Sequence, residues 1–137
     1  VDLVKSLGAD KVIDYLQDDF TLLPEKFDVV FDAVGKSTFG KCQNILKDKG
    51  IYMSTELGTH GQNPFLALVT PWLGGKKVLF PIPSINAKYV QYIKQLTIDG
   101  KYRPLIDRHY NLDQIGEAYQ YVETGMKIGN VIIHMPN

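Results

Sequence analysis

Residues 28–35 constrain this chain most: Asp28-Val29-Val30-Phe31-Asp32-Ala33-Val34-Gly35 is an apolar run closed by a glycine, with Lys36-Ser37-Thr38 behind it. The run is too short for a helix and too rich in β-branched and aromatic side chains for a loop, so it reads as a buried strand that empties into a turn. In open α/β sheets, ligands gather beyond the carboxyl ends of the strands. Chemistry is therefore expected first at residues 32–36.

Two readings compete there. Gly35-Lys36-Ser37-Thr38 resembles the end of a nucleotide-phosphate loop, whereas Phe31-Asp32-Ala33-Val34-Gly35 resembles a strand end in a dinucleotide-binding sheet. A phosphate loop has the form G-x-x-x-x-G-K-[ST], and its first glycine lets the backbone fold back around the phosphates. Val30 occupies that first position, and a β-branched residue inside a buried strand cannot open the loop. A P-loop-type nucleotide-binding protein is the weakest reading, and a helix N-terminus with a solvated Lys36 accounts for the same residues.

The bulk properties narrow the partners. The 137 residues are 45% hydrophobic, enough for one domain or a large piece of a longer protein. Fifteen basic and fifteen acidic side chains cancel, and no Lys/Arg stripe forms, so nucleic acid and anionic membrane are not expected partners. Cys42 is the single cysteine, so no internal disulfide or cysteine-based zinc site can form; a cytoplasmic location is the default. His60, His109 and His134 are far apart and none has a helical ligand spacing, so no metal site is expected. No apolar stretch approaches the ~20 residues that span a bilayer.

Along the chain, residues 1–7 have helical periodicity that stops at Gly8, and the chain opens on Val1 inside that pattern, which points to a piece of a longer protein. Residues 11–15 are expected as a strand, and 18–23 as one helical turn. After the strand at 28–34, Ser37 or Thr38 caps a helix to Leu46 with Phe39, Cys42, Ile45 and Leu46 inward. Residues 51–54 are the next strand, 55–63 a polar loop and 64–72 a partly helical flap. Residues 76–82 form a strand at a rim or edge, since Pro81 and Pro83 cannot donate to a ladder. A helix over 86–98 turns Tyr89, Ile93 and Leu96 inward, and strands at 105–110 and 130–135 flank a helix at 113–124 capped by Asp113. Strands alternating with helices predict a parallel α/β sheet.

Taken together, Leu7-Gly8-Ala9-Asp10-Lys11-Val12-Ile13-Asp14-Tyr15, Phe27-Asp28-Val29-Val30-Phe31-Asp32-Ala33-Val34-Gly35, Lys49-Gly50-Ile51-Tyr52, Gly116-Glu117-Ala118-Tyr119 and Gly129-Asn130-Val131-Ile132-Ile133 resemble the medium-chain dehydrogenase/reductase family. The similarity is greatest to its NADPH-dependent quinone oxidoreductase branch. It implies the C-terminal part of a Rossmann-type parallel sheet flanked by helices, lacking strands 1 and 2 and the G-x-G-x-x-G loop. A partial dinucleotide-binding domain would span 1–103, and a C-terminal β-α-β segment, 104–137, would return to the catalytic domain of the parent enzyme.

The resemblance also implies roles. Ala33, Val34 and Gly35 would lie at the ribose and nicotinamide, with Thr55, Glu56 and Leu57 at the next strand end and Pro81, Ile82 and Pro83 along the nicotinamide edge. Tyr15 matches a tyrosine near the adenosine ribose phosphate, which favours NADP, with NAD possible. Gly129-Asn130 departs from the Gly-Lys of many relatives and puts a phosphate contact there in doubt. No catalytic acid or base and no metal ligand is expected in this segment, because zinc ligands of zinc-dependent members lie upstream. Asp32, the titratable group at the strand end, is expected to be structural.

The implied activity is hydride transfer from NAD(P)H to a quinone or an α,β-unsaturated carbonyl, with the small-molecule substrate shared with an N-terminal domain. A zinc-type alcohol dehydrogenase is the nearest alternative, and a non-catalytic dimerisation module is the alternative from another class. Strands 1 and 2 would normally separate a strand at 12–14 from one at 29–32, so their absence leaves unpaired backbone. A homodimer, through the strand at 76–82 or by strand exchange, is the expected response.

Overall fold

Phe27–Asp32 forms the strand that the apolar run demands, labelled β1 in the computed structural model, which describes every residue except Ile85 and Asn137. The described residues divide into two units, Val1–Pro83 and Ser84–Asn137. This division falls at 83/84, not at the 103/104 boundary expected from the family resemblance.

In the first unit, α1 (Asp2–Ser6) precedes a 3-10 turn at Phe20–Leu22 whose N-cap is Asp19. After β1 come α2 (Phe39–Cys42), β2 (Leu46–Ser54), α3 (Gln62–Val69) and β3 (Lys77–Leu79). The strands lie in the order β1-β2-β3 and all run parallel, as helical crossovers require. Val29, Val30, Phe31 and Asp32 pair with Ile51, Tyr52, Met53 and Ser54, while Lys47 to Gly50 bulge out before that ladder, with Lys49 at φ 63°. The regular ladder thus begins at Ile51, where the sequence predicts the strand.

Thr38 caps α2 by accepting from the Lys41 amide at 3.3 Å, but the α-helix ends at Cys42 and a 3-10 turn (Gln43–Ile45) delivers Leu46 into β2 opposite Phe27. The helix expected to reach Leu46 is therefore shorter. Its inward side chains are nevertheless the predicted ones: Phe39, Cys42, Ile45 and Leu46 are buried with Tyr52 and Val78, and Phe20, Leu23, Val30, Leu66 and Ala67 pack against them. Burial of this cluster, at about 25 cal/mol per Å² of apolar surface, is what holds the helical crossovers on the sheet. Thr70 ties α3 to β3, donating to the Leu66 carbonyl at 2.7 Å and accepting the Val78 amide at 2.8 Å.

Two strand expectations need correction. Residues 11–15 form no strand, because β-branched propensity alone makes no ladder without a neighbouring strand to share its amides. The strand predicted at 76–82 is only Lys77–Leu79, and the chain leaves the sheet before Pro81.

In the second unit, α4 (Ala87–Ile98) is capped by Asn86, whose side chain accepts the Tyr89 amide at 3.1 Å. β4 (Ile106–Asn111), α5 (Ile115–Glu123) and β5 (Asn130–His134) form the expected parallel β-α-β segment. The helical stretch is capped by Asn111 in a box with Gln114, not by Asp113, which sits inside the 3-10 turn Leu112–Gln114. Tyr89 and Ile93, predicted inward, are 55% and 53% exposed, and Leu96 is half-buried. An amphipathic stripe reports a demand for cover, and among the described residues α4 buries no side chain fully. No helix of the described residues is long and apolar enough to cross a membrane.

Candidate functional site

The turn after β1 is built around one carboxylate. Asp32 Oδ1 accepts the amides of Gly35 at 2.7 Å and of Val34 and Lys36 at 3.3 Å, while Oδ2 accepts the Ser37 amide at 3.1 Å and the Tyr52 hydroxyl at 3.0 Å. Burial pushes the Asp32 carboxyl upward, but the Ser37 amide, the Tyr52 hydroxyl and the Gly35 and Val34 amides outweigh it and hold the group below the usual carboxylate range. Tyr52, wholly buried, is pushed the other way by burial and by the same carboxylate, and stays a neutral donor.

This arrangement decides between the two readings of residues 32–38. The amides that would wrap a phosphate in a P-loop are turned onto Asp32, so a carboxylate of the protein itself fills the anion nest. A phosphate is repelled at this turn. The carbonyl groups of the strand end are the acceptors left to a ligand, which suits the hydroxyls of a ribose or a carboxamide NH2.

A cleft of about 840 Å³ opens beside this turn, lined by Tyr15, Phe20, Val30, Phe31, Asp32, Ala33, Val34, Lys36, Ser37 and Cys42. Of the predicted cofactor residues, Tyr15, Ala33 and Val34 share this cleft. Gly35, at φ +72°, touches the next strand end: a Cβ there would lie 2.6 Å from Glu56 Cγ, so only glycine fits without movement. Thr55 and Glu56 follow β2 directly, and both they and Leu57 are exposed. Pro81, Ile82 and Pro83 continue beyond β3, with Ile82 82% exposed, and do not line the cleft. Cys42, wholly buried with its thiol 3.3 Å from Ser37 Oγ, is pushed up by burial, which disfavours a reactive thiolate.

Asn63 is a residue that the sequence reading missed. It is 2% exposed, and its Nδ2 donates to the Glu56 carbonyl at 2.7 Å while its amide donates to Leu57 O at 3.0 Å. Its carboxamide lies against Gly58, where a Cβ would sit 2.9 Å from Asn63 Nδ2. Asn63 thereby holds the backbone of residues 56–58 at the sheet's carboxyl edge, and its Oδ1 is buried without a partner. Nothing local marks it, because its partners lie across a loop that reads only as polar.

A nicotinamide dinucleotide fits part of this geometry: Ala33 and Val34 at the strand end share one cleft with an apolar wall of Phe20, Val30 and Phe31. A pyrophosphate does not fit this turn and needs donors from elsewhere. Catalytic zinc does not fit either, since no three His, Cys, Asp or Glu side chains gather among the described residues.

Parallel strands with helical crossovers and a ligand-facing carboxyl edge define the class of nucleotide-binding α/β folds. The particular family is given by the sequence itself: residues 7–133 match the zinc-binding dehydrogenase family, and the chain belongs to it as a medium-chain dehydrogenase/reductase. The chain is 33% identical over 136 residues to a 2-methylene-furan-3-one reductase of Solanum lycopersicum, covering 98% of this chain and 31% of that protein. It is 30% identical to the chloroplastic NADPH-dependent alkenal/one oxidoreductase of Arabidopsis thaliana, again over 98% of this chain and 31% of the relative. Among solved structures, the quinone oxidoreductase from Coxiella burnetii superposes with a TM-score of 0.77 at 25% identity, covering 96% of this chain and 41% of that one. The chain thus spans roughly a third of the length of these two curated relatives.

Proposed function

We propose that this chain is the cofactor-bearing C-terminal part of an NAD(P)H-dependent oxidoreductase that reduces a quinone or an α,β-unsaturated carbonyl. The observation that carries this reading is the joined carboxyl edge of β1 and β2, where Gly35 abuts Glu56 beside the cleft that Tyr15, Ala33 and Val34 share. The names of the relatives, an alkenal/one oxidoreductase and a quinone oxidoreductase, support the substrate class. NADP is the preferred cofactor in this reading, on Tyr15 and on the NADPH dependence named for the Arabidopsis relative.

The cofactor, when bound, supplies the hydride. The protein's own residues orient and shelter it: the carbonyls at 33–34 accept from ribose or carboxamide, and the apolar wall of Phe20, Val30 and Phe31 excludes water from that side of the cleft. Asp32 acts through the loop and holds its amides away from the ligand. No side chain of this segment is needed as a general acid. The substrate would be shared with an upstream domain, and the free edge of β3 is the place for a homodimer contact. A cytoplasmic location belongs to the same reading.

Turnover by the full-length parent, given NADPH and a panel of quinones and enones, tests the proposal. Oxidation of NADPH coupled to loss of the quinone or enone is expected; no turnover across the panel overturns it. The 137-residue chain alone is expected to bind NADPH weakly or not at all by calorimetry, since its sequence holds no glycine fingerprint for the pyrophosphate.

A further inference from the structure

His109 and His134 lie 25 residues apart in sequence, yet their Nδ1 and Nε2 atoms meet at 2.9 Å. The parallel register explains the meeting. His109 pairs with Ile132 and Asn111 with His134, so the two histidines are diagonal neighbours on one face of the β4/β5 ribbon. Their ring planes differ by 13° and their centroids lie 5.0 Å apart, a spacing equal to the nitrogen separation plus a ring radius at each end. The rings therefore meet edge to edge, nitrogen to nitrogen, and are not stacked face to face. Both side chains are exposed, so neither ring is locked by the core.

Two facing imidazole nitrogens form one hydrogen bond only if one carries a proton and the other a lone pair. Moving the bridging proton to the far nitrogen of its own ring, through water, leaves two lone pairs at the meeting point and no net change in protonation. Metal–imidazole bonds of about 2.0–2.1 Å place nitrogens roughly 2.9 Å apart when they subtend a right angle at the ion, and about 3.4 Å apart in a tetrahedron. The in-line contact at 2.9 Å is that of a hydrogen bond, and it shows that the two nitrogens on one face of the ribbon come near enough for both to reach the cis positions of a tetragonal Cu2+ or Ni2+ centre once the rings turn toward a shared ion. Each ring needs only a turn about its exposed side-chain torsions to aim its lone pair at the ion.

We propose that His109 and His134 form a cross-strand chelate for one Cu2+ ion, with Ni2+ the weaker alternative, the other coordination positions being filled by water. No third His, Cys, Asp or Glu completes the group among the described residues, so the site is a bidentate one. It is separate from the family's zinc chemistry, and it draws nothing from the cofactor reading. The length of the sequence between the two histidines hides it, because cross-strand contacts have no fixed spacing.

The test titrates aqueous Cu2+ into the 137-residue chain and reads electron paramagnetic resonance at one equivalent. A tetragonal signal with splitting from two imidazole nitrogens is expected, with His109→Gln and His134→Gln each binding about a hundredfold more weakly as the chelate becomes a single imidazole. His60→Gln, away from the pair, leaves the affinity unchanged. A one-nitrogen signal from the unsubstituted chain overturns the proposal. So does an affinity that survives His109→Gln in a variant whose circular dichroism matches the parent.

Discussion

Asp32 and Asp107 do the same job in different surroundings. Each takes a tyrosine hydroxyl and the backbone of a loop: Asp32 holds Tyr52 and four amides of the turn after β1, and Asp107 holds Tyr121 at 2.8 Å and the Ile128 amide at 2.9 Å before β5. Both carboxyls lie below their ordinary range, but for different reasons. At Asp32 burial works against the ionised form and hydrogen bonds overcome it, whereas at Asp107 the Ile128 amide leads, Tyr121 follows, and burial is a minor opposing influence. Tyr52 is sealed in the main core and Tyr121 is half-buried with the Arg108 guanidinium 3.6 Å over its ring. The same hydrogen bonds are therefore expected to matter to the whole unit in one place and to a local loop in the other, because the Tyr52 hydroxyl is sealed from water and the Tyr121 hydroxyl is not.

Asp32→Ala tests the deeper clamp and has the largest expected effect. Removing an ionised acceptor shared by four amides and a buried hydroxyl should cost roughly 2–4 kcal/mol, read as a lower urea midpoint. A variant as stable as the parent would break the comparison. The sign with pH follows from the lowered carboxyl: the folded form binds fewer protons than an unfolded chain whose aspartates titrate near about 4. The stabilisation is complete above that pH and is lost as pH falls through the folded value. Urea midpoints between neutral pH and pH 3 should thus converge for Asp32→Asn and the parent at the acid end and separate at neutral pH.

Two substitutions sharpen the picture around the same loop. Gly35→Ala places a side chain in a left-handed conformation at φ +72° and drives its Cβ to 2.6 Å from Glu56 Cγ, so a loss of about 2 kcal/mol is expected, with the urea midpoint again the measure. Equal stability would mean that the β1 and β2 ends do not hold each other. Tyr52→Phe keeps the ring of the core and removes one hydroxyl from Asp32, so about 1 kcal/mol is expected at neutral pH. If it costs as much as Asp32→Ala, the hydroxyl and not the amides carries the clamp.

What the sequence made legible were the features set by local periodicity. Phe39, Cys42, Ile45 and Leu46 are buried as their spacing requires, even though the helix beneath them gives way to a 3-10 turn, because the inward face survives a change in winding. That these strands run parallel was legible from their alternation with helices. The apolar run at 11–15 misled because a strand is a property of two segments, and α4 misled because an amphipathic face records a need for a partner without naming it. At the strand end, the turn at Ala33, Val34 and Gly35 was legible from the apolar run that a glycine closes, and Val30 alone argued against a phosphate loop. Asn63 could not be read, nor could the meeting of His109 with His134, since both depend on contacts made across folded chain. Asp32 was legible as structural; that it occupies its own anion nest was not.

The smallest expected effect lies at Asp107, where the prediction is one of place more than size. Asp107→Asn keeps the shape of the side chain and weakens the acceptor that fixes Ile128 and Tyr121, with Arg108 left over the tyrosine ring. Hydrogen exchange should show faster exchange at the Ile128 amide, while the amides of Val29 to Asp32 in β1 keep their protection. The loop between α5 and β5 would then open without taking the core sheet with it. Loss of protection in β1 as well would mean that Asp107 is as central as Asp32, and that depth of burial is not what separates the two carboxylates.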